Sequence, residues 1–195
     1  MFRCQFARDI FPFPKNNKNV GCIHAWNYNL SDKNISHQTF FLKGGDCWGW
    51  ATWKDAWLLF NKNGDELLKS IKSNNLEFEF NRKGTHQYIS MLEDQTKGIN
   101  NSWAVRWHAS LFLNNKYCLH PVRPIVINIG LDNSGTHCGN QNIQQFPVEF
   151  IDVTSHEVED SAWFYIEFAK YIERNKLNNK WVLLKERLKN LFHQS

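Results

Sequence analysis

Apolar positions along the 195-residue chain alternate between strand-like runs and helical spacing. Val20 to Tyr28 is a nearly continuous apolar run, the pattern of a buried strand with an irregular end. Thr39 to Leu42 predicts a second short strand, stopped by Gly44 and Gly45. From Ala51 the period changes: Trp53, Ala56, Trp57 and Phe60 fall at helical spacing, and Leu67, Leu68 and Ile71 give Asp65 to Lys72 one apolar face. Leu76 to Phe80 alternates, which fits an edge strand or a loop. His86 to Gln95 predicts a helix, and Ser102 is the expected N-cap of another over Trp103 to Leu113. Strands are predicted at Lys116 to Pro121 and Pro124 to Gly130, with a Gly/Asn/Ser-rich loop over Leu131 to Asn142. Two helical patterns end the chain, near Glu159 to Arg174 and through Trp181, Leu184, Leu188 and Leu191. Strands interleaved with helices predict an α/β fold.

Composition narrows the function classes. The net charge of +4 comes from scattered cations with a mild excess near the C-terminus, so a nucleic-acid partner is not expected. The 5 cysteines form no paired spacing, which argues for a reducing compartment over a disulfide framework. No apolar run approaches the roughly 20 residues of a membrane span, and Arg3, Arg8 and Asp9 interrupt any leader-like pattern at the start. The expected location is the cytoplasm, with peripheral contact at the inner face of the membrane through the basic C-terminal helix as an added option.

Candidate chemistry concentrates in three segments. Four of the 9 tryptophans lie between Asp46 and Trp57. The acidic pair Glu93 and Asp94 follows, and then Trp103, Arg106 and Trp107 share one helix. Indole faces stack on sugar C–H faces, a carboxylate takes a hydroxyl proton, and a guanidinium faces phosphate. Trp48 and Trp50 are the platform candidates, with Gly49 bending the chain so that the two rings diverge. Packing against a core would explain either ring equally well, and helix capping would explain Asp46. His24, His86, His108 and His120 lie near apolar residues and are expected to satisfy local hydrogen bonds. Cys138 beside His137 lacks a second ligand pair with zinc-like spacing.

Taken together, the segments Ile23 to Tyr28, Asp46 to Trp57, Met91 to Gln95, Ser102 to Trp107 and Asn128 to His137 resemble the C-terminal half of GT-A-type, family-2-like inverting glycosyltransferases. The nearest likeness is to a bacterial sugar transferase subgroup also called hemolysin-like. The resemblance implies a partial Rossmann-like GT-A fold: an irregular segment over 1–17, an acceptor-binding half over 18–142 and a helical segment over 143–195. It implies transfer from a nucleotide-sugar donor to a glycan or glycolipid acceptor, in polysaccharide assembly. Asp94, ahead of Glu93, would be the base, with Asp46, Trp48, Gly49, Trp50, Arg106 and Trp107 on the substrates. The family's divalent metal, Mn or Mg, is held by an Asp-x-Asp motif that this sequence lacks, and His137 would be the residue nearest to that metal. A truncated or separately encoded first half is the matching expectation, and a non-catalytic carbohydrate-binding remnant is the rival one. The reading requires the Asp94 carboxyl to open into the same hollow as the indoles around residue 49.

Overall fold

A computed structural model describes residues 17–127, 151, 153 and 157–176. Four strands form one mixed sheet: β1 (Val20–Ile23), β2 (Thr39–Lys43), β3 (Ala51–Thr52) and β4 (Tyr117–Pro121), in the order β2-β4-β1-β3. β1 and β4 run parallel, whereas β2 pairs antiparallel with β4 and β3 antiparallel with β1. Between β3 and β4 the chain forms α1 (Lys54–Trp57), α2 (Gly64–Ser73), α3 (Glu77–Phe80), α4 (Tyr88–Thr96) and α5 (Trp103–Leu113). A further helix, α6, occupies 162–176. The α/β class expected from the sequence is therefore observed. None of the helices among the described residues is long and apolar enough to cross a membrane.

Strand periodicity sorts the core. Successive side chains alternate across a sheet, and an irregularity in register between Val20 and Cys22 brings Val20 to the face of Ile23, so Val20, Ile23, Phe41 and Leu119 pack together with Ile151. Phe40 and Leu42 point to the other face, where they meet Phe164 and Phe168 of α6. On that same side Cys22 and Cys118 pack against Trp107 and Leu111 of α5. A separate helical layer joins Leu67, Ile71, Phe80, Leu92, Val105, Ala109 and Phe112, from α2 to α5.

Local signals explain most element ends. The Ser102 side chain accepts a hydrogen bond from the Val105 N–H at 3.3 Å, which caps α5 as expected. Asn63 caps α2 in the same way through Glu66 N–H. The helix expected from Ala51 onward is reduced to the single turn α1, because Ala51 and Thr52 are taken up by pairing with β1. Leu76 to Phe80 is not an edge strand: Phe80 N–H bonds back to the Leu76 carbonyl at 2.8 Å, and the segment closes a helical turn that buries Phe80. Positions 124–127 carry no strand, and the rest of that predicted strand and the last helical pattern lie outside the described residues.

Candidate functional site

The parallel register of β1 and β4 builds the centre of the site. Cys22 lies opposite Cys118 and Ile23 opposite Leu119, and the next residue along, His24, donates its N–H to the Leu119 carbonyl at 2.8 Å. Alternation then turns His24 and His120 to the same face of the sheet. Their Nδ1 atoms meet at 3.0 Å with the rings edge to face. Phe40, opposite His120 on β2, stacks on its imidazole. Asn27 fixes the chain after β1, donating to the carbonyls of Pro121 and Val122.

Asp46 reaches this pair from the turn after β2. Gly44 adopts φ +95°, and a Cβ there would lie 2.3 Å from Nδ1 of His108, so only glycine fits both the backbone and the space. The Asp46 carboxylate lies 3.5 Å from Nε2 of His24 and 3.3 Å from the Arg82 guanidinium. Arg82 comes from the loop after α3, where Arg82, Lys83 and Gly84 all have positive φ (49°, 54° and 78°). Such a run is costly for non-glycine residues. Here it delivers a cation that is only 3% exposed, with its Nε lacking a hydrogen-bond partner.

These groups line a cavity of about 500 Å³, whose wall is aromatic: Trp26, Tyr28, Trp48, His86 and Tyr88. Trp26 and Trp48 meet edge to face at 4.6 Å, and His86 stacks between Tyr88 and Phe168. Gly49, at φ +59°, produces the expected bend. Trp48 faces the cavity, while Trp50 turns to Trp57, Trp103 and Trp107.

Burial sets the charge balance. It lowers the pKa of His24 and His120 below the ordinary value, and carries His86 and His108 down to about 3, so all four rings are neutral at pH 7. Burial opposes ionisation of Asp46, but His24, Arg82 and His120 outweigh it and hold the carboxyl well below the usual range. The Arg82 cation persists at neutral pH because the Asp46 carboxylate beside it counters its own desolvation. Tyr28 is pushed up to about 12 by burial. At neutral pH the cavity thus holds one anion and one cation among neutral hydrogen-bonding groups.

The expected site residues separate. Asp46 and Trp48 line the cavity; Glu93 and Asp94 do not. Leu92 buries itself in the helical layer, and α4 meets the cavity through Tyr88 and Met91, the latter about one turn before Asp94. Glu93 pairs with Lys72 of α2, and the Asp94 carbonyl accepts the Ile99 N–H at 2.9 Å. Arg106 is spent on the chain itself, donating to the carbonyls of Ser102 and Lys62. Trp107 is 0% exposed and serves the core. His137 lies outside the described residues. Arg82, His24 and His120 were not expected in the site. For the histidines the available signal was strand alternation, with His24 two residues after Cys22 and His120 two after Cys118.

Among the described residues, one group could offer a metal three ligand atoms: His24, Asp46 and His120, within 4.8 Å of one another. In this structure all three are engaged with protein groups: the two Nδ1 atoms meet each other at 3.0 Å, and the Asp46 carboxylate pairs with Arg82. His108 is likewise committed, with Nδ1 on Gly45 and Nε2 on the Phe80 carbonyl. Comparison with known proteins finds no matching family model, no similar curated protein and no similar solved structure.

Proposed function

We propose that the cavity between Trp48, Asp46 and Arg82 binds a sugar, and that the chain serves glycosyl transfer from a nucleotide-sugar to a glycan or glycolipid acceptor. One observation carries the reading: a cavity of about 500 Å³ combines an indole wall with a buried Arg82 paired to a partly exposed Asp46. Sugars need that combination, apolar faces for ring C–H groups and fixed polar groups for hydroxyls. In this reading Trp48 stacks on the sugar, Asp46 accepts a hydroxyl hydrogen bond, and the Arg82 guanidinium faces a hydroxyl or a phosphate oxygen. The likeness of the Asp46 to Trp57 segment to sugar transferases supports the transfer step. Asp94 is not among the residues that line the cavity, so the condition set by the sequence, an Asp94 carboxyl in the same hollow as the indoles, is not met and the role of base is not assigned to it.

A second reading is favoured by a specific observation. A carboxylate held as far below the ordinary range as Asp46 is a weak proton acceptor, which suits a site that binds sugar without transferring it. Incubating the purified chain with UDP-sugars and Mn²⁺ or Mg²⁺, and following release of UDP, separates the two. Turnover lost in Asp46→Asn and kept in Asp94→Asn supports transfer. Saturable sugar binding without UDP release supports binding alone, and neither activity removes both.

A further inference from the structure

The two histidines of the cavity have a hydrogen-bonding problem with one good solution. Each neutral imidazole carries one N–H and one lone pair, and the 3.0 Å contact between the Nδ1 atoms accommodates a single proton. If His24 supplied it, the bare lone pair on its Nε2 would face the Asp46 carboxylate, 3.5 Å away. If His120 supplies it, His24 turns an N–H toward that carboxylate instead, and attraction replaces repulsion. The direction of the chain is therefore set by Asp46. The consequence falls on His120, whose Nε2 is left with a lone pair and no hydrogen-bond partner. His120 lines the cavity, and the stacked Phe40 ring fixes its plane.

We infer that Asp46, through its 3.5 Å electrostatic contact with Nε2 of His24, sets the direction of the His24–His120 hydrogen bond, and that the resulting lone pair on Nε2 of His120, buried and without a protein partner, is the acceptor for a ligand hydroxyl. The hydroxyl ligand rests on the sugar reading above; the direction of the chain does not. The neutral imidazole thus offers a fixed hydrogen-bond acceptor that orients a bound hydroxyl, while burial keeps His120 itself from taking up its proton.

Long-range ¹H–¹⁵N correlation spectra of the ¹⁵N-labelled full chain test the inference directly. In the parent protein His120 is expected to be protonated at Nδ1 and bare at Nε2, the minority form of free histidine, and His24 the reverse. In Asp46→Asn the amide donates to Nε2 of His24 and reverses the chain, so the unprotonated Nε2 signal of His120 is lost. An Nε2-protonated His120 in the parent protein overturns the inference, as does a folded Asp46→Asn variant with unchanged tautomers. If that variant does not fold, the parent spectrum alone decides. Adding UDP-glucose and UDP-N-acetylglucosamine to the parent protein tests the ligand separately. Loss of the bare Nε2 signal character on binding supports the acceptor role, and binding that leaves it untouched overturns that role. Failure of both sugars to bind counts against the sugar reading while the tautomers still judge the chain.

Discussion

Arg82 concentrates the energetics of the site in one side chain. It is buried, its backbone is left-handed, and its charge is matched by Asp46. Arg82→Met leaves the Asp46 charge without its cation, and removing one partner of a buried pair typically costs about 3–5 kcal/mol. Urea unfolding is expected to show a loss near the lower end of that range, because Asp46 keeps 21% of its side-chain surface exposed. Gly44 is the second sensitive position. Gly44→Ala forces a Cβ into the His108 ring as well as a strained φ, and an expected loss of about 1–3 kcal/mol follows. The same titration measures it. Residue chemistry was legible in part. Asp46 and Trp48 stand out in the sequence because a carboxylate and an indole lie between Gly44–Gly45 and Gly49. Arg82 does not, since the segment Asn81 to Gly84 looks like an ordinary polar turn until the backbone conformation is known.

At the scale of elements, α5 ties the sheet to the helical layer. Its Trp107 and Leu111 pack on β1 and β4, while Val105, Ala109 and Phe112 pack on α2 to α4. Removing the Ser102 cap by Ser102→Ala is expected to cost about 1 kcal/mol, measurable as a shift in the urea midpoint with an unchanged slope. Helical spacing made α2, α4 and α5 readable, and short, nearly continuous apolar runs made β1, β2 and β4 readable. α3 escaped because Leu76 to Phe80 places an apolar residue at every second position. The decision there comes from Phe80, which fills the space beside Ile71, Leu92 and Phe112 only if the chain coils. Likewise the pairing of His24 with His120, 96 residues apart, depends on a parallel register that no local pattern encodes.

The whole molecule carries a strong pH signature. His24, His86, His108 and His120 are all held neutral, with folded pKa values below the ordinary 6.5. In the unfolded chain they take protons below about pH 6.5, while the folded protein resists. Protonation therefore favours unfolding, and stability falls as pH drops from about 6.5 toward 3. Each histidine contributes a slope of up to about 1.4 kcal/mol per pH unit in that window. Asp46 acts in the same sense lower down, since its stabilisation is present above its unfolded value and lost as pH falls. Unfolding curves between pH 7.5 and 4.5 are expected to show midpoints that fall steeply below pH 6.5. A flat profile would mean that the rings are not buried as described.

The cavity itself is the central claim, and calorimetric titration of the full chain with a panel of nucleotide-sugars tests it most directly. Saturable binding is expected, weakened about tenfold or more in Trp48→Ala, equivalent to at least about 1.4 kcal/mol, and unchanged in Asp94→Asn. Binding that survives Trp48→Ala at full strength but is lost in Asp94→Asn would place the ligand elsewhere and contradict the account.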